Sequence, residues 1–172
     1  MKKVITLLLL VLSIGAVKAQ STELSKYKSL FTLNFIRYFD WQDNNEGDFV
    51  IGVLKNSGIA KQLSVQVTGK KVGYKNIVVK EFKRIDDITD CNIIYVGESV
   101  NYSKYSAVIS EKLSRANPLI ITEGNGTIPK GAMINFVIVN DKLKFEISSE
   151  NAVRGGLKFS NSLLLLNNAI RA

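Results

Sequence analysis

Hydrophobic side chains recur along this chain in two rhythms, and the changes between them mark its elements. Between residues 23 and 39, Tyr27, Leu30, Phe31, Asn34, Phe35 and Tyr38 fall three or four apart, the spacing of one helical face. Short apolar runs follow. DFVIGVL at 48–54, NIVVKEF at 76–82, NIIYVG at 92–97 and PLIITEG at 118–124 read as strands. Between them, GIAKQLSVQV after Ser57, with that serine as its cap, and YSKYSAVISEKLSRA at 102–116 read as helices. Strands alternating with helices predict an α/β fold. It is a single three-layer domain with a mostly parallel central sheet and helices on both faces.

The stretch GAMINFVIVNDKLKFEIS, residues 131–148, carries the strand period and predicts a C-terminal antiparallel β-hairpin at the sheet edge. With Asn140 and Asp141 as a two-residue loop, Val139 faces Lys142 and the remaining register follows. Ile138 then lies opposite Leu143, Phe136 opposite Phe145 and Ile134 opposite Ile147, an apolar face that a one-residue slip would destroy. On the other face Asn135 meets Glu146. After the hairpin, Ser149 is the expected cap of a short helix ending at Gly155 and Gly156, and Ser160 of a last helix through SLLLLNNAI.

The first twenty residues belong to a different pattern. Two lysines precede an apolar run from Val4 to Ile14, and small residues Val17 and Ala19 stand before Gln20, which predicts a secretory signal peptide over 1–19 and a single domain over 20–172. The run is shorter than the roughly 20 residues that a membrane span needs. Export from the cytosol is the expectation. Loss of Lys2, Lys3 and Lys18 lowers the formal charge from +8 to +5, and the remaining cations are scattered. Acidic protein surfaces are the expected partners of such a charge. Nucleic acid is not, because no aromatic-and-basic reading surface is present. Cys91 is the one cysteine, so no intrachain disulfide forms.

Catalytic chemistry has little to work with. The chain has no histidine, hence neither the commonest general base nor the commonest metal ligand. Cys91 stands before the buried NIIYVG strand, where a small core residue is expected rather than a nucleophile. There is no phosphate-binding glycine loop and no G-x-S-x-G elbow. Asp86, Asp87 and Asp90 lack the glycine and distal glutamate of a calcium loop and read as a solvated turn. No enzyme activity, cofactor or metal is expected.

The helix KYKSLFTLNFIRYFDWQ, the strand FVIGVLKNS, the CNIIYVGES segment, the strand LIITEG and the closing GAMINFVIVNDKLKFEISSENAVRGGLKFSNSLLLL resemble, in that order, the YfiR family of exported bacterial proteins. The resemblance implies a periplasmic α/β domain without catalytic role. A member of that kind represses a membrane diguanylate cyclase through the cyclase's periplasmic part, and is itself sequestered by an outer-membrane lipoprotein. Similar domains are attached to histidine kinases, so either type of membrane sensor is a candidate partner, and a second copy forming a homodimer is another. The chain departs from the family pattern at Gln42, where a proline is frequent, and at Ala132, where a glycine is, and its single cysteine cannot form the two disulfides on which a well-known member relies.

The positions matching the family motifs are Asn34, Arg37 and Trp41 at the end of the first helix, and Asn135, Phe136 and Glu146 in the hairpin. Arg37 offers a planar cation and Trp41 a large amphipathic ring, both favoured at binding surfaces. Each also has a structural reading: Trp41 in the core, Arg37 in a surface salt bridge, Asn135 with Glu146 as a cross-strand pair. An apolar cleft near Trp41 with Arg37 at its rim would suit the alternative function, a periplasmic small-molecule binding or sensory module. An exposed apolar patch would suit a protein partner.

Overall fold

The computed structural model describes residues 22–41 and 47–172; the expected signal peptide and Gln42 lie outside them. The first helix, α1, occupies residues 22–35. It is followed by β1 (Phe39–Asp40), β2 (Phe49–Leu54), α2 (Ser57–Val67), β3 (Lys71–Val72), β4 (Lys75–Phe82), β5 (Ile93–Val96) and α3 (Tyr102–Lys112). Then come β6 (Leu119–Thr122), β7 (Ile134–Val139), β8 (Lys142–Ile147), α4 (Ser149–Arg154), β9 (Lys158–Phe159) and β10 (Ala169–Arg171).

The eight-stranded sheet has the order β10-β8-β7-β6-β5-β2-β4-β3, and β7, β6, β5, β2 and β4 run parallel to one another. Its central strands β5 and β6 are buried at every residue, which is why they read as unbroken apolar runs. Gly52 in β2 makes the close packing possible: a Cβ there would stand 2.6 Å from the Phe82 ring and 3.2 Å from Cys91 Sγ. From β2 the chain crosses to β4 on one side, and from β5 it crosses to β6 on the other. Right-handed crossovers therefore put α2 and α3 on opposite faces. α1 shares the face of α2, its Phe35 ring packing edge-on against Phe145 at 4.9 Å and its Phe31 at 5.4 Å from the same ring.

The hairpin has the register the pattern demands, with Phe136 opposite Phe145 and Asn135 opposite Glu146. Asn140 and Asp141 both take positive φ (51° and 59°), the conformation of a tight two-residue hairpin turn. Ile138, however, is 54% exposed, so the apolar face is buried only at its Phe136 and Ile134 end.

Four local expectations are corrected. The first helix stops at residue 35, and Ile36–Tyr38 form a 3₁₀ turn before Phe39 pairs with Phe159 of β9. The cap of α2 is Asn56, whose side chain accepts from Ile59 N at 3.0 Å, because Ser57 is already helical. For the same reason Ser148, not Ser149, caps α4. The last segment is a 3₁₀ turn over Asn161–Leu165, capped by Ser160, and its end is strand β10 rather than helix. β10 pairs with β8 in parallel, so the hairpin lies one strand in from the edge. An open β8 edge would leave backbone groups unpaired, and satisfying them outweighs the helix propensity of a leucine run.

Candidate functional site

The six positions singled out in the sequence separate into two places. At the end of α1, Trp41 donates from Nε1 to the carbonyl of Ile36 at 2.6 Å and packs its ring edge-on against Phe49 at 4.9 Å. It thereby satisfies a carbonyl that the end of the helix leaves free, and clamps the turn that carries Arg37. Arg37 itself is exposed. Its guanidinium lies 5.1 Å from the Tyr38 ring centre and donates to the Tyr38 hydroxyl at 3.3 Å, with no carboxylate in ion-pair range among the described residues.

Asn34 and Arg37 line a broad, open cleft of about 470 Å³. Its apolar floor comes from Leu33 and Ile36 on one side and Val72 and Ile77 on the other, and Lys70 and Lys71 complete its rim. Local sequence explains the second wall. Gly69, at φ 71°, ends α2, and Gly73, at φ 58°, turns β3 back onto β4, so the two lysines ride a short hairpin beside the end of α1. Trp41 does not line this cleft, being turned into the Phe39 and Phe49 cluster. Along the same row of α1, Tyr27 and Leu30 are 51% and 39% exposed.

The hairpin positions serve a different environment. Asn135 is 1% exposed and uses every polar atom: Oδ1 accepts from Thr122 Oγ1 at 2.8 Å and from Gly124 N at 3.0 Å, and Nδ2 donates to Glu146 Oε2 at 2.8 Å. Thr122 shares a further hydroxyl bond with Thr127 at 2.8 Å. Phe136 points to the opposite face, into the ring cluster with Phe31, Phe35 and Tyr95. The two groups of residues are not brought into one site.

A third place was not found in the sequence. Beyond the carboxyl ends of β5 and β6 lies a polar cleft of about 420 Å³, where Lys28 of α1 pairs with Glu123. Glu123 Oε1 also accepts from Asn56 Nδ2 at 2.6 Å, which ties the cap of α2 to the same carboxylate. The nearby Tyr95 hydroxyl is buried; burial first, and then the charge of Glu123, hold its pKa well above the ordinary 10.0. The position of the cleft obeys the rule that open α/β sheets bind at the carboxyl ends of their strands, a signal available once the strand order is known. Lys28 and Glu123 are 95 residues apart, so no local pattern joins them.

Cys91 is a buried free thiol, its pKa pushed up to about 12, chiefly by burial. Asp86 and Asp87 fold back onto Arg84 in an exposed turn. Among the described residues no three His, Cys, Asp or Glu side chains gather as a metal site would need, and no helix is long and apolar enough to cross a membrane.

A family model described as YfiR/HmsC-like matches residues 25–167, a span that holds all six motif positions and both clefts' main walls. No curated protein matches the chain.

Proposed function

The chain belongs to the YfiR/HmsC-like family, and from that premise we propose that it is an exported regulatory protein that binds the extracytoplasmic part of a membrane signalling protein, such as a diguanylate cyclase, and holds it inactive. Family membership supports a regulatory part in cyclic di-GMP signalling in general. The observation that carries the finer reading is Arg37: an exposed guanidinium without an ion-pair partner among the described residues, on a turn that Trp41 holds rigid. A pre-positioned arginine loses little freedom on docking and suits a carboxylate.

Repression requires only that the protein bind the inactive state of its partner better than the active one. A tenfold bias corresponds to about 1.4 kcal/mol, within the range of one arginine anchor. Deletion of the gene should raise cyclic di-GMP and surface attachment if the partner is a cyclase, or kinase output if it is a histidine kinase. No change in either output would overturn the reading. The polar cleft at Lys28 and Glu123 favours a second reading, a small-molecule sensing module. That reading predicts a raised melting temperature with a ligand that the Lys28→Met variant no longer answers.

A further inference from the structure

We infer that the Arg37, Lys70 and Lys71 cleft receives the membrane partner, and that the segment it takes is an acidic stretch of polypeptide with an apolar side chain between carboxylates. This rests on the regulatory reading and names the chemistry of its interface, including two lysines outside the motif positions.

Charge is the first argument. Among the described residues, Arg37, Lys70 and Lys71 line one cleft with no acidic residue in its lining, and none of the three has an ion-pair partner. Like charges gathered on a rim repel, so the neutralising groups come from outside. Shape is the second. The floor of Leu33, Ile36, Val72 and Ile77 is apolar, so the ligand brings an apolar group to it as well as carboxylates to the rim. The cleft is too open to enclose most of a small molecule, as small-ligand sites do, and a chain segment can lie along it instead. A flat lipid surface would leave the floor unfilled. Continuity is the third. Tyr27 and Leu30 precede Asn34 at seven and four residues on one row of α1, and Arg37 follows on the 3₁₀ turn, so exposed apolar side chains extend the surface along α1. Such a surface fits an extended or helical segment better than a point ligand.

The test uses the full chain in its native host, with a photo-crosslinking side chain at position 34. The expected product joins position 34 to an acidic stretch in the extracytoplasmic portion of an integral membrane protein. Lys70→Glu combined with Lys71→Glu should lower its yield on the order of tenfold, and exchanging the mapped carboxylates for lysine should restore it. Both lysines are exposed, and an unchanged melting temperature of the double variant confirms that the loss is not one of folding. The inference is overturned if the product maps to a stretch without carboxylates, to lipid or only to a second copy of this chain. It is also overturned if charge reversal leaves the yield unchanged. The two levels separate cleanly. A deletion that raises signalling output while the Lys70→Glu, Lys71→Glu protein still represses fully defeats the docking surface alone, whereas a deletion without effect defeats the regulatory reading beneath it.

Discussion

Asn135 and Glu146 stand directly opposite one another on β7 and β8, with Nδ2 of the 1% exposed Asn135 donating to Glu146 Oε2 at 2.8 Å. The other atoms of Asn135 are committed to Thr122 and Gly124, so it ties the hairpin to the end of β6. The pair is thus a register lock with a network behind it. Removing Glu146 leaves the Nδ2 of a side chain that is 1% exposed without this acceptor, in a place where water has little access.

Glu146→Ala should therefore destabilise the protein by about 1–3 kcal/mol. Urea unfolding gives the value directly. Glu146→Gln, which keeps an acceptor oxygen, should recover most of the loss, and equal stability of Ala, Gln and parent proteins would show that the pair is not a lock.

Arg37 and Trp41 should part company. Arg37→Ala removes an exposed side chain and should leave stability within about 0.5 kcal/mol of the parent while relieving repression. Trp41→Ala removes a ring packed on Phe49 and a hydrogen bond to Ile36, so its melting temperature should fall. Thermal unfolding beside a cyclic di-GMP reporter distinguishes the two effects, and a destabilised Arg37→Ala protein would return Arg37 to a structural role.

The Lys28 and Glu123 side chains are 11% and 6% exposed, so breaking their pair strands a buried charge. Lys28→Met or Glu123→Leu alone should cost about 3–5 kcal/mol, and the double variant markedly less than the sum of the two. A double-mutant cycle by chemical denaturation measures the coupling. Additive losses would mean that the two charges are solvated independently.

Cys91 should resist thiol reagents in the folded protein at pH 8, since it is buried and its pKa is pushed up to about 12. Labelling should become fast in denaturant. Mass spectrometry of timed samples reads both rates, and prompt labelling of the native protein would place the thiol at the surface.

Alkaline pH should destabilise the fold earlier than its acid groups alone would suggest. Burial raises Cys91 from 9.0 to about 12 and Tyr102 from 10.0 to about 12, and lifts Tyr95 well above 10.0. In each case the native state keeps a proton that the unfolded chain releases. Their contribution is complete below pH 9 and is lost as pH rises from there toward 12, each group adding a slope of at most about 1.4 kcal/mol per pH unit. Melting temperatures between pH 8 and 11 should fall progressively, and a flat profile would show that these groups titrate normally when folded.

What the sequence determined by itself is whatever depends on neighbours along the chain. A two-residue turn and a period of two set the whole β7–β8 register, and the unbroken apolar runs of β5 and β6 announced strands buried on both faces. Asn34 and Arg37 were legible as positions matching the family motifs at the end of the first helix. The tertiary structure decided what depends on distant segments. Phe39 leaves the predicted helix because β9 offers it a partner, and Ala169–Arg171, after the leucine run, become β10 because β8 has an edge to satisfy. Lys70 and Lys71 reach Arg37 only because Gly69 and Gly73 turn that hairpin toward α1, and Lys28 finds Glu123 only once α1 packs on the sheet face through Phe31 and Phe35. Periodicity is a local property that each segment carries in its own side chains. The pairing of edges and charges is a property of the packed chain, set where burying apolar surface brings remote residues together and leaves their polar groups no other partner.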